Sequence, residues 1–300
     1  MKNNIKTWSQ AFIIGAILFL GSSCSDFLEE SDPSNLTIEN YFKTADHAQS
    51  AVNAIYQTLN DVIRSNGYGG GPWLMLEFQT GLANTELGQA PDSRIIRDLT
   101  NTSDNGYGIT HWQQSYKGIA NANVAINKIP GINMDETLKK KLLGEAMFLR
   151  AYYYYNLVRI FGNIPLITEQ VYLASPLITA SQAPVEDVYA LIVNDLTTAE
   201  ASGLPYIDKT GRVSLGAVKS LLSDVYLTMA GYPLKKGNDY YQKAADKAKE
   251  VIQSGNYSLF PSYDDLHDPA KKNTGENIFM VQYAAYTFPS NWQGLIVPFN

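Results

Sequence analysis

Residues 142–168, LLGEAMFLRAYYYYNLVRIFGNIPLIT, constrain this chain most, because they join an aromatic-rich helix to a defined stop. Ala146, Leu149, Tyr153, Leu157 and Ile160 recur at helical spacing along one stripe, and Phe148, Tyr152 and Tyr155 form a second. A helix apolar around so much of its girth must be buried between neighbours. Gly162 suits a left-handed helix end, and Pro165 prevents a restart. Glu145 and Arg150 lie on this apolar rod, where an unpaired charge is costly, so each is expected to have a partner. Aromatic stripes at this spacing are ordinarily core and require no chemistry.

The same periodicity marks further helices. One spans residues 45–64, with Thr44 as cap and Ala48, Val52, Ile55, Tyr56, Leu59 and Ile63 as its buried stripe. Another spans 110–129, carrying Trp112, Tyr116, Ile119, Asn123, Ile126 and Ile129 on its stripe, and Pro130-Gly131 ends it. A helix starts near Pro184, with Glu186 and Asp187 at the favourable end of its dipole. Two more cover 215–230, capped by Ser214 and stopped by Gly231, and 240–253, closed by Gly255. Residues 164–172 read as extended, with room for a short strand, and 278–283 have strand character. The stretch 72–109 is irregular, a long loop with one helical segment. The fold class is therefore mainly α, with stacked helix pairs, irregular loops and a few short strands. Ala244, Ala245 and Ala248 permit close packing of the last helix on the one before it, although the chain shows no clean repeat period.

The N-terminus reads as a targeting segment. Lys2 and Lys6 precede the ten-residue apolar run AFIIGAILFL, too short to span a bilayer, and Gly21-Ser22-Ser23 lead to Cys24. Cys24 is the only cysteine in 300 residues, which fits a lipid-accepting residue; Gly21 stands where a lipobox ordinarily has Leu. The organisation expected is a signal peptide at 1–23, a lipidated N-terminus and tether at 24–44, and a helical domain at 45–300. Without Lys2 and Lys6 the net charge moves from −6 to −8, and no basic cluster remains for phosphates, so nucleic acid is excluded as partner.

No catalytic constellation can be assembled. His47, His111 and His267 are scattered and in no metal-ligand spacing, so neither metal nor cofactor is expected. The cluster Gly67, Gly69, Gly70, Gly71 lacks the Lys-Ser/Thr of a phosphate loop and reads as a turn. Asp264, Asp265 and Asp268 could pair as glycosidase acids, but SYDDLHDPAKKN reads as a solvated loop.

Six segments taken in order carry a resemblance: WQQSYKGIANANVAINKIPG, GEAMFLRAYYYYNLVRIFGNIPLI, PVEDVYALIVNDLTTA, GRVSLGAVKSLLSDVYLTMAG, YYQKAADKAKEVIQSGNYSL and ENIFMVQY. Together they resemble the SusD/RagB family of surface glycan-binding lipoproteins of Bacteroidetes. The resemblance implies a tetratricopeptide-like scaffold, attachment to the outer membrane through lipid on Cys24, no enzyme activity, and partnership with a SusC-like TonB-dependent transporter that takes up oligosaccharide. Ser25-Asp26 and Glu29-Glu30 look like the surface-display signal of such lipoproteins. Family members usually run longer, and this chain stops on the apolar GLIVPFN, so a truncation at the C-terminus is expected. Trp112 matches a core position. Trp73 and Trp292 lie in irregular stretches where packing calls for no indole, and flat rings there can stack on sugars. Tyr68, Asn105 and Tyr107 share the first of these regions, and Tyr286, Asn291 and Gln293 the second. Two rivals stand beside glycan capture: a helical scaffold binding a protein partner and no sugar, and a glycan-degrading lipoprotein.

Overall fold

Thr44 begins the first helix as its position suggests: its Oγ1 accepts from the His47 N–H at 3.3 Å. The computed structural model describes residues 41–64, 76–82, 91–171 and 175–283. The chain divides after Tyr41, and everything below belongs to the unit from Phe42 onward. Helix α1 (Ala45–Arg64) buries Ala48, Val52, Ile55 and Leu59, one side of the expected stripe; the Ile63 side chain lies outside the described residues. Next come α2 (Pro91–Arg97), α3 (Gly106–Lys128) and α4 (Glu136–Phe161). The two-residue strands β1 (Ile164–Pro165) and β2 (Gln182–Ala183) pair antiparallel. Helices α5 (Val185–Glu200), α6 (Leu215–Ala230) and α7 (Asn238–Gln253) complete the order, with short 3-10 turns after α3, before β2 and after α7.

Packing follows the chain. Helix α1 lies on α3, α3 on α4, α4 on α5, α5 on α6 and α6 on α7, and α1 also reaches α4. The mainly α, stacked-helix class holds, and among the described residues strand is confined to β1 and β2.

Helix α4 sits at the centre, and its tyrosines show why. Successive residues step about 100° around a helix, so Tyr153, Tyr154 and Tyr155 face three neighbours. The Tyr153 hydroxyl donates to the Ile55 carbonyl of α1 at 2.9 Å. That of Tyr154 donates to the Ile167 carbonyl beyond β1 at 2.8 Å, and Tyr155 Oη lies 2.7 Å from Thr228 Oγ1 of α6. Each ring is buried while its hydroxyl is satisfied. Close approach of α3 to α4 depends on Gly118, where a Cβ would lie 2.5 Å from the Tyr153 ring.

Three expectations need correction. Helix α3 begins at Gly106 and not at 110, because the Asn105 side chain accepts from the Tyr107 N–H at 3.0 Å and caps a turn upstream of the apolar stripe. Likewise α7 begins at Asn238, ahead of its first apolar contacts. Residues 278–283 join no ladder among the described residues, whereas the short strand for which 164–172 had room forms as β1. Strand propensity forms no ladder without a partner backbone. The helical segment expected within 72–109 is α2.

Helix α7 buries only Ala244 and Val251. Charge supplements this thin packing. Lys247 Nζ lies 2.7 Å from Glu200 of α5 and 3.1 Å from Glu250, and Lys219 of α6 bridges the same two carboxylates.

Candidate functional site

The two charges embedded in α4 organise the surfaces around them. Arg150 makes a bidentate ion pair with Asp195 of α5, Nε to Oδ2 at 2.7 Å and Nη2 to Oδ1 at 2.8 Å. Its Nη1 donates to Asn123 Oδ1 of α3 at 2.9 Å, and Asn123 Nδ2 donates to the Ile167 and Glu169 carbonyls at 2.9 and 3.2 Å. One guanidinium thereby ties α3, α4, α5 and the segment after β1 together. Burial pushes the Asp195 carboxyl upward, and the hydrogen bonds and charge of Arg150 oppose that.

Glu145, one turn earlier, faces the other way. Its Oε2 accepts from the Tyr56 hydroxyl at 2.7 Å and lies 2.6 Å from Arg212 Nη2. The Arg212 guanidinium also covers the Tyr56 ring at 4.9 Å and donates to Asn53 Oδ1 at 2.8 Å. Tyr56 Oη accepts from the Val213 N–H at 2.8 Å, fastening the 208–213 loop to α1. Desolvation raises the Tyr56 hydroxyl well above its ordinary value, with the Glu145 charge adding to it. Both α4 charges thus have the partners their setting demands.

A cleft opens beside each centre. One, of about 390 Å³, runs between α1 and residues 279–282, and Asn53, Tyr56, Gln57, Asn60, Arg212 and Phe279 contribute to its walls. Gly211 takes φ +88, and a Cβ there would lie 2.5 Å from the Gln282 side chain, so the loop can approach this closely only with glycine. The other cleft, of about 320 Å³, is more apolar and lies between α3 and the segment from Pro165 to Ala180. Trp112 and Tyr116 form its aromatic wall with ring centroids 5.0 Å apart, and Trp112 meets Phe161 edge-on at 5.0 Å. Trp112 packs on the core as expected, yet it is half-buried and also faces this cleft. Trp112→Ala should lower stability by roughly 2 kcal/mol, less than a fully buried indole would cost, and a thermal melt checks it.

Of the residues expected from sequence to hold ligand, Asn105 and Tyr107 come together. Asn105 is 2 % exposed; its Nδ2 donates to the Asp92 carbonyl at 3.1 Å, and Tyr107 Oη lies 3.1 Å from Ser93 Oγ. Both therefore clamp α2 to the start of α3. Tyr68, Trp73, Tyr286, Asn291, Trp292 and Gln293 lie outside the described residues, as does Cys24. Sequence reasoning passed over the polar face of α1. Asn53, Gln57 and Asn60 at i, i+4 and i+7 beside Tyr56 were its signal. Among the described residues no cluster of metal ligands occurs and no helix is long and apolar enough to cross a membrane. The acids 264, 265 and 268 lie in or beside an exposed 3-10 turn, where Asp265 pairs with Lys271 at 2.5 Å.

Residues 26–227 match the profile of a family described as starch-binding and associating with the outer membrane, named SusD-like. The chain belongs to the SusD-like family. SusD-like protein P2 of Formosa agariphila is 32% identical over 286 residues, which are 93% of this chain and 53% of the relative. A SusD superfamily structure from Parabacteroides distasonis is 39% identical with a TM-score of 0.77, covering 85% of this chain and 53% of that one. A structure described as a laminarin-binding SusD-like protein is 28% identical with a TM-score of 0.68, covering 79% of this chain and 51% of that one. The SusD-like chain thus spans about half the length of the relatives it matches.

Proposed function

We propose that this SusD-like protein captures oligosaccharide at the cell surface and passes it to a SusC-like TonB-dependent outer-membrane transporter, binding without catalysis. The match of residues 26–227 to a starch-binding, outer-membrane-associating family carries the reading. The laminarin-binding relative, with the same helical scaffold, supports it. Attachment through lipid on Cys24, after removal of residues 1–23, is part of the proposal, as is a further C-terminal portion like that of the longer relatives. Mass spectrometry of membrane-extracted protein should find an acylated Cys24; a soluble product with a free thiol would sink that part.

The ligand is held by stacking on Trp73 and Trp292, with Tyr68, Tyr286 and Asn291 in the same two regions and no metal or cofactor; Asn105 and Tyr107, spent on the α2–α3 clamp, take no part. Each indole contributes on the order of 1 to 2 kcal/mol, so Trp73→Ala or Trp292→Ala should weaken binding roughly fivefold to thirtyfold. Calorimetry with maltooligosaccharides and laminarin oligosaccharides tests this. Binding of no glycan rejects the function, whereas unchanged affinity in both variants moves the site elsewhere in the chain. A pull-down from native outer membrane that recovers no transporter argues against the delivery step.

A further inference from the structure

Residues 276–283, ENIFMVQY, carry strand character, yet among the described residues they pair with no strand. Ile278, Phe279 and Val281 rest partly buried on the core. The Gln282 side chain turns back, donating to Asn273 Oδ1 and to the Met280 carbonyl at 2.9 Å each. Apart from that carbonyl, the main-chain groups of residues 278–282 have no hydrogen-bond partner among the described residues. This line forms one wall of the cleft of about 390 Å³, facing Asn53, Gln57 and Asn60 of α1. Asn60 Oδ1 is buried and also without a partner among the described residues.

We propose that residues 278–282 take up a β-strand from the half of a SusD-like polypeptide that lies outside the part matched here, laid along this cleft beside α1. A row of open N–H and C=O groups recognises another extended backbone, the chemistry of strand addition to an edge. Leu59, Phe279, Met280 and Val281 offer an apolar lining for alternate side chains, and Asn60 and Gln57 offer amides to its polar atoms. Glu145 neutralises Arg212 within the site, so the strand it suits is uncharged. The relatives have chain enough to supply it, because the matched part is only 53% of the Formosa agariphila and Parabacteroides distasonis proteins. The inference rests on family membership and is independent of the glycan reading.

Hydrogen exchange on the 300-residue chain, read by mass spectrometry, tests it. The probe is a set of overlapping synthetic peptides that together cover the unmatched half of the Parabacteroides distasonis protein, since an extended strand need not be folded beforehand. Amides of residues 279–282 should exchange rapidly in the chain alone and slow by about tenfold or more with one of these peptides. Successive N–H groups of a strand point to opposite edges, so one of Met280→Pro and Val281→Pro should weaken binding of that peptide roughly tenfold and the other should not. A set in which no peptide binds, or in which the peptide that binds leaves these amides unslowed or binds both variants equally, overturns the proposal. Protection by a laminarin oligosaccharide in place of a peptide also overturns it, since that puts sugar in the cleft.

Discussion

Arg150→Met should destabilise the protein by about 3–5 kcal/mol, the loss expected when one member of a buried ion pair is removed and the other stays. The side chains of Arg150 and Asp195 are 6% and 1% exposed, so solvent cannot take the place of the missing partner. Asn123 loses its donor at the same time, loosening the segment after β1 that its amide holds. The deficit has a pH signature. Burial already pushes the Asp195 carboxyl up, and without the guanidinium nothing opposes the push. A carboxyl raised in the folded state binds its proton more tightly there than in the unfolded chain, so the variant loses stability as pH rises through that value. Urea denaturation at several pH values should show a smaller deficit in acid than at neutral pH. Adding Asp195→Leu should recover most of the loss by removing the stranded charge. A deficit below about 1 kcal/mol at neutral pH would mean that the pair is not the clamp described.

The second large effect belongs to His111. Its imidazole is 1% exposed, stacked 6.2 Å from Phe161, and neither ring nitrogen has a hydrogen-bond partner among the described residues. Burial lowers its pKa from 6.5 to about 4. Between those values the unfolded chain holds a proton that the folded state refuses, so stability is full above pH 6.5 and falls as pH drops toward about 4. The gap corresponds to about 3 kcal/mol. Glu145 and Asp195, raised by burial, slope the opposite way in acid, so the measurement is the difference between wild type and His111→Phe. The stability of wild type relative to the variant should fall steadily between pH 6.5 and 4. A difference independent of pH would show that the imidazole takes up its proton without cost.

Local pattern explains why so much of the helical order was legible. Thr44, Ser214, Gly162 and Gly231 act within a few residues of their own helix ends, and the stripes of α1 and α6 repeat at 3.6-residue spacing. That Glu145 and Arg150 need partners follows from the apolar residues around them. That the partners are Arg212 and Asp195 does not, since those lie far along the chain and meet α4 only once α5 and the 208–213 loop have packed. The polarity of Asn105 in an irregular stretch suggests a ligand contact, whereas its side chain caps α3 and reaches back to α2. The stripe of one helix places Trp112 in the core and cannot reveal that the segment after β1 leaves a cleft over its ring. The strand character of 278–283 is a property of the residues alone, and a ladder needs a second backbone.

The division of labour among Tyr153, Tyr154 and Tyr155 also sets which lengths of chain are free to vary. Deleting one residue between Glu145 and Arg150 turns the rest of α4 by about 100°. The hydroxyl that met α1 would then point at another neighbour, and all three anchors would be lost together with the spacing of the two charges. An insertion in a solvent-facing turn rotates no helix and leaves these three hydroxyls where they are. Descendants of this chain can therefore lengthen turns that carry no such anchor, whereas α4 can change letter by letter and never in count.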